Sequence, residues 1–338
     1  MSRKLRNVAT SSITVVGAGI FGLWQALVLA RAGHRIHLID KSEKPFTASA
    51  SRWAGAMIAP DCEAEGAPTV VRDWGREGLD HWRATYPGLI VNGTLVVAAA
   101  RDQSELTRFE NMTQRAERKD AQALADLEPD LAGRFNAALY YAHEAHMGAG
   151  AALAWLRDAV YAAGAQVSFG ANFDPKPDGL IIDCRGMGAK DDLPKLRGVR
   201  GERIIVATND MRLSRPVRLL HPRQPIYVVP QGDGRFVIGA TVIEREDAEP
   251  MTVKSALDLM STAYALHPAF AEASIIDMGA GVRPAFPDNI PRILIAQDGR
   301  TLRVNGAYRH GFLLAPVLAH AVADYLKTGA RHAAFADE

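Results

Sequence analysis

The chain has 338 residues, enough for a substantial core and, by ordinary domain size, for two domains. Hydrophobic residues make up 48% and charged residues 23%, the balance of a soluble globular protein. Lysine and arginine total 39 against 38 aspartates and glutamates, a net charge of +1. That argues against a partner such as nucleic acid, whose phosphate backbone calls for a basic face.

The opening MSRKLRNVATSS is basic and leads into an apolar run, as a signal peptide would. The run from Ile13 is broken by Gly17, Gly19 and Gly22, and no A-x-A cleavage pattern follows, so it is read as part of the fold. No stretch reaches the roughly 20 apolar residues of a membrane span. The two cysteines, Cys62 and Cys184, form no C-x-x-C and point to neither a disulfide framework nor a zinc site. The expectation is a cytoplasmic protein with no membrane association.

Residues 13–16 (ITVV) are a short β-branched run and predict a strand. A glycine turn follows, then helix formers over 20–32, ended by Gly33. Residues 35–39 predict a second strand that stops at Asp40, so the first 30 residues of the fold form a βαβ unit. The segment 47–60 (TASASRWAGAMIAP) is rich in small residues, which suits close approach to a ligand. Helices are expected over 70–85 and 103–118 with a strand at 93–97 between them, and another helix over 149–163, closed by Gly164. Residues 180–184 read as a buried strand that leads into Arg185-Gly186-Met187-Gly188. Strands follow at 203–207, 226–229 and 235–239, the last two a hairpin about Gly232-Asp233-Gly234. A helix at 253–265, a strand at 302–305 and a closing helix at 311–327 complete the chain. Interleaved helices and strands with hairpins in the middle give an α/β nucleotide domain interrupted by an antiparallel sheet.

Gly17-Ala18-Gly19-Ile20-Phe21-Gly22 is G-x-G-x-x-G, placed after a strand, opening a helix, with Asp40 18 residues beyond Gly22. Gly17 allows the tight turn, Gly19 lets a pyrophosphate approach the backbone, and Gly22 lets helix and strand pack closely. The helix N-terminus offers N–H groups and a positive dipole end to phosphates, and Asp40 suits the ribose hydroxyls. The motif serves NAD and FAD alike. Its N-terminal place, with strands of the same domain returning near 180 and 302, favours FAD.

Four segments carry a family resemblance. They are the fingerprint, the loop Ala54-Gly55-Ala56-Met57-Ile58-Ala59-Pro60, the set Tyr227-Val228-Val229-Pro230, Gly239-Ala240-Thr241 and Gly281-Val282-Arg283-Pro284, and lastly Tyr308-Arg309-His310-Gly311-Phe312-Leu313-Leu314-Ala315-Pro316. In this order they resemble the D-amino-acid-oxidase superfamily of flavoenzymes, most closely the glycine oxidases of the ThiO type. The resemblance spans residues 13 to 330. It implies a Rossmann-type FAD-binding domain (1–60, 146–190 and 295–338) with an antiparallel-sheet substrate domain (61–145 and 191–294), in the manner of D-amino-acid oxidase and the second glutathione-reductase-like group. It implies noncovalent FAD, a small amino-acid substrate oxidised to an imine, dioxygen as electron acceptor giving hydrogen peroxide, and self-association into a homo-oligomer. The loop reads AGAM where the family has AAGM, the segment 170–179 is shorter than the family's, and His310 stands where asparagine is usual.

On this resemblance the residues expected to touch the cofactor are Gly17 to Gly22, Asp40, Lys41, Ser49, Ser51, Ala54 to Met57, Val167, Gly186, Arg283 and Tyr308 to Leu313. Ser49 and Ser51 suit flavin phosphates or loop caps equally. Arg283 is the expected carboxylate anchor, because a planar guanidinium matches a carboxylate with two parallel hydrogen bonds. Tyr227 adds a hydroxyl donor, and Arg309 stands at the pocket entrance. Each has a plainer reading, as a surface ion pair or a satisfied core tyrosine. His143-Glu144-Ala145-His146 lacks the spacing of a zinc motif, so no metal is expected. The competing functions are a D-amino-acid or N-methyl amino-acid oxidase or dehydrogenase on the same fold and, from another class, an NAD-dependent dehydrogenase or a non-catalytic nucleotide-binding protein.

Overall fold

The computed structural model describes residues 12–173, 179–247 and 249–338. The basic opening segment up to residue 11 and the centre of the short 170–179 stretch lie outside the described residues. Two large sheets organise the chain. The first runs in the order Phe335–Asp337, Arg292–Ile295, Thr301–Asn305, Leu180–Asp183, Ser12–Val16, Arg35–Asp40, Gln166–Phe169. Its strands pair in parallel except for Arg292–Ile295 against Thr301–Asn305. The second, of eight strands, is antiparallel except where Val217–Leu220 lies parallel to Thr94–Ala98. The α/β class and the hairpin-rich second sheet match the reading of the sequence. The first sheet draws its strands from 12–40, 166–183 and 292–337, the second from 94–141 and 197–285.

The helix Ile20–Arg31 is apolar on nearly every side, and Ile20 to Leu29 are all buried. A helix without a polar face belongs inside. It lies against the closing helix Gly311–Thr328 and the helix Ala149–Ala162. The closing helix carries Pro316, which has no N–H and frees the carbonyl four residues back, that of Phe312. Trp82, from the helix Thr69–Thr85, donates its indole Nε1–H to that oxygen at 2.7 Å. Trp82 also meets Trp24 edge-on at 4.9 Å, so three helices share one aromatic contact. Gly78 allows this approach, because a Cβ there would stand 2.1 Å from the Leu313 carbonyl oxygen. The helix Thr69–Thr85, which the sequence places with the substrate segments, thus packs into the core around the first sheet.

Each face of the second sheet carries its own apolar cluster. Leu95 and Val97 join Ile204, Val228 and Phe236 beneath the helix Val253–Leu266. Val96 and Ala98 join Leu139, Tyr141, Leu106 and Phe109 on the other side, beneath Gln103–Met112. That helix stops at Met112 rather than 118, because Glu117–Asp120 joins the sheet edge as a strand. A twelve-residue strand, Ser274–Ala285, which the sequence does not announce, pairs along nearly the whole of Arg197–Ala207.

The Trp82 contact predicts a measurable cost. Trp82→Phe leaves the Phe312 carbonyl buried without a partner and should lower unfolding free energy by about 1–3 kcal/mol in a denaturant titration. An unchanged midpoint would show that this carbonyl does not depend on Trp82.

Candidate functional site

A cavity of ≈ 1330 Å³ reaches from the carboxyl ends of the first sheet's strands, at Val16, Ile39 and Cys184, to the second sheet, at Tyr227 and Arg283. Ligands of open parallel sheets bind at that end of the strands. Of the residues expected at the cofactor, Gly17, Gly19, Ile20, Phe21, Asp40, Lys41, Ser49, Ser51, Ala54, Gly55, Ala56, Met57, Gly186 and Tyr308 to Leu313 line this cavity. Ala18, Gly22 and Val167 do not. Ala18 is buried and donates its N–H to Asp40 Oδ2 at 2.7 Å. Gly22 sits under the turn, where a Cβ would stand 1.7 Å from the Gly17 oxygen. Val167 pairs opposite Leu38 and packs on the core, while Ala171, Asn172 and Phe173, just after it, line the cavity.

The turn at Gly17 has φ +96°, and a Cβ there would lie 2.7 Å from the Cys184 carbonyl oxygen. Gly19 is the N-cap of the first helix, with no side-chain cap and no acid in the first turn. The helix therefore presents its positive end to the cavity. Ser51 Oγ accepts from Ile20 N at 3.1 Å, and Ser49 Oγ accepts from Ser51 N at 3.2 Å. Asp40 is fixed by a second bond, from Ser42 N at 2.8 Å. Small side chains, a helix start with no acid in its first turn and an acid at the end of the second strand suit a dinucleotide.

The other end of the cavity is floored by glycines of the second sheet. Tyr227, Gly239, Arg203 and Gly279 stand opposite one another on four neighbouring strands, so their side chains share one face. Tyr227 leans over the missing side chain of Gly239, where a Cβ would be 2.5 Å from its hydroxyl. The same ring meets Gly55, where a Cβ would be 2.6 Å from Cε2. The shifted glycine of the AGAM loop thus falls where the tyrosine ring needs space. Arg283 lies over Gly201, whose Cβ would come 2.0 Å from Nη2, and donates from Nη1 to the Thr241 carbonyl at 3.1 Å. Trp53 covers Gly279 and Gly281, held between the guanidinium groups of Arg52 at 4.9 Å and Arg203 at 5.3 Å.

Burial pulls the Arg283 guanidinium down from its ordinary value, which favours an anionic partner. Burial pushes the Tyr227 hydroxyl up against the opposing charges of Arg283 and Arg203, so it remains a donor. Glu63, unread in the sequence, ends the short helix Pro60–Glu63 and lines the same cavity. Its Oε2 lies 2.8 Å from Arg309 Nε and 3.2 Å from His310 Nδ1, and its Oε1 lies 3.7 Å from Arg218. Burial alone would raise its pKa, but Arg309, His310 and Arg218 outweigh it and hold the carboxyl well below the usual range. Burial keeps His310 low and neutral despite that neighbour. An acid closing a small-residue loop is the one sequence signal for Glu63. Tyr308, at φ +46°, donates its N–H to the Pro284 carbonyl at 2.7 Å and ties this turn to the Arg283 strand.

In the His143–His146 stretch, Glu144 Oε1 accepts from Cys62 N at 2.8 Å and His146 pairs with Met57. Among the described residues no group of three or more metal-ligating side chains gathers. Nor is any helix among them long and apolar enough to cross a membrane.

The Gly22–Gly17 contact is the sharpest in the turn. Gly22→Ala should cost about 1–3 kcal/mol of stability through overpacking and reduce retention of a bound dinucleotide on purification. Full retention and an unchanged melting temperature would contradict the packing described.

The family model for FAD-dependent oxidoreductases (DAO) matches residues 12–325. A Rhizobium etli protein named as a putative thiamine biosynthesis oxidoreductase, ThiO, is 49% identical over 94% of this chain and 96% of its own. A glycine oxidase of Pseudomonas aeruginosa is 26% identical over 93% and 94%. The crystal structure of glycine oxidase from Bacillus cereus superposes with a TM-score of 0.81 at 19% identity, covering 95% of this chain and 96% of that one. The chain belongs to the FAD-dependent oxidoreductase family, and its cofactor is FAD.

Proposed function

We propose that the protein oxidises a small amino acid, glycine or an N-substituted glycine such as sarcosine, to the imine, and that the product serves thiazole formation in thiamine biosynthesis. The observation that carries this reading is the Arg283–Tyr227 pair laid flat on Gly201 and Gly239 in the cavity that also holds the fingerprint. The high identity to the ThiO relative supports the pathway. Bound FAD, held noncovalently, supplies a two-electron acceptor for the α-hydrogen and hands the electrons to dioxygen, giving hydrogen peroxide.

The chain's own residues bind and orient. The cofactor domain (1–60, 146–190 and 295–338) holds the FAD, and the second sheet holds the substrate. Arg283 takes the substrate carboxylate in two parallel bonds, and Tyr227 donates a third. Glu63, kept ionised, is the carboxylate whose charge reaches Arg283, and it faces the amine end. Fixing both ends of a small zwitterion sets the direction of its C–H bond, and such positioning is worth roughly 7–11 kcal/mol of a barrier. Arg309, paired with Glu63, closes the chamber. The two cysteines are buried and unpaired, which suits a cytoplasmic setting.

The direct test follows peroxide formation by the purified yellow holoenzyme with glycine, sarcosine and D-alanine. Turnover of glycine or sarcosine is expected, a preference for D-alanine would favour a D-amino-acid oxidase, and no turnover with any of the three would refute the reading. Arg283→Met should lower kcat/KM for glycine roughly 10²-fold, the cost of about 3 kcal/mol for an unpaired carboxylate, with FAD content unchanged. A loss below about threefold would remove Arg283 from the anchor role.

A further inference from the structure

Arg218, on the strand Val217–Leu220, stands directly opposite Tyr227. The two side chains share a face but diverge. Tyr227 leans over Gly239, and Arg218 turns the other way, its Cζ 5.4 Å from the ring of buried Phe109. Arg218 Nη1 donates to the Cys62 carbonyl at 3.3 Å and lies 3.7 Å from Glu63 Oε1. The guanidinium is thus fixed by an aromatic ring on one side and by the backbone just before Glu63 on the other. The Glu63 carboxylate acts on the guanidinium groups of both Arg218 and Arg283.

We infer that Arg218 is a positioning residue for the oxidation proposed above: it clamps the Cys62–Glu63 backbone to the second sheet and so holds the Glu63 carboxylate against Arg309 and His310, facing the chamber floored by Arg283 and Tyr227. This rests on the reading that the chamber takes a small amino acid. Arg218 lines the same cavity and acts through Glu63. The chain Arg218–Glu63–Arg309 also forms a wall drawn from three separate segments, which keeps the chamber small.

The titration of Glu63 reports on the clamp. Facing it are Arg309 and His310 from the turn before the closing helix, Arg218 from its strand, Arg283 and Tyr227 from the floor, and Cys62 from its own segment. Arg218 is one of the cations that hold the carboxyl ionised against burial, so its loss moves the Glu63 midpoint upward.

The test compares wild-type, Arg218→Gln and Arg218→Lys holoenzymes by crystallography, reading the contacts of Glu63 Oε2 with Arg309 Nε and His310 Nδ1, and by steady-state kinetics with glycine. Glutamine removes the charge and is too short to reach the Cys62 carbonyl, while Glu63 keeps Arg309 and His310 as neighbours, so R218Q is expected to fold and retain FAD. Its Glu63 carboxylate should move off the 2.8 Å and 3.2 Å contacts to Arg309 and His310. Its KM for glycine should rise roughly tenfold with kcat within about threefold, as for a lost ground-state orientation near 1.4 kcal/mol. R218K should lie closer to wild type on both readouts. A Glu63 carboxylate unmoved in R218Q, or an R218K enzyme as altered as R218Q, overturns the inference. If the wild type oxidises none of glycine, sarcosine and D-alanine, the functional reading fails, and the structural comparison still decides the role of Arg218.

Discussion

The site depends on side chains that are absent. Four positions on one face of the second sheet, Gly201, Gly239, Gly279 and Gly281, carry no Cβ, and on that floor lie Arg283, Tyr227 and Trp53. Any larger residue at Gly201 or Gly239 would collide with the guanidinium or the phenol and lift it into the cavity. Glycine usually weakens a strand, so four on one face are a cost to the sheet that close approach to a ligand explains. Their benefit is rigidity: a side chain pressed flat on backbone has few other rotamers to adopt.

The floor meets the cofactor end through the loop that carries Trp53 and Gly55. Arg203 reaches up from the sheet, donates to the Arg52 carbonyl at 2.7 Å, and helps hold Trp53 from below. Gly55 lets the same loop close over Tyr227. One short segment therefore touches the fingerprint through Ser49 and Ser51 and the reaction end through Trp53 and Gly55. On the proposed function, this one piece of backbone sets the positions of flavin and substrate together, as hydride transfer requires. The acid Glu63 completes the chamber from the continuation of that segment, and its ionised state depends on cations delivered by two distant parts of the chain.

Much of this is legible in the sequence where a residue's meaning is local. The fingerprint can be read because Gly17 needs its φ and Gly22 its packing within one turn, and the helix Gly311–Thr328 because its apolar run is long. The strand Ser274–Ala285 is not legible, because its Met-Gly-Ala-Gly centre is poor in β-branched residues, and the reason for those glycines lies in Trp53, far away in sequence. The helix from Gln103 reads too long because the charged stretch after Met112 suits a helix surface as well as an edge strand. Val167 belongs to the right neighbourhood but lies in the core beside the cavity, a distinction that only the packing of its strand makes. Glu63 escapes notice because a lone acid after a proline looks like a helix start; only the arrival of Arg218 and Arg309 gives it another role.

The central claim is that Arg283 on its glycine floor receives the substrate carboxylate. A crystal structure of the holoenzyme with glycolate, a glycine analogue lacking the amine, tests it most directly. The account predicts both carboxylate oxygens at about 2.7–2.9 Å from the Arg283 guanidinium, with the Tyr227 hydroxyl donating to one of them. Glycolate bound at Arg309 or Arg218 instead, with Arg283 still held only by the Thr241 carbonyl, would contradict it.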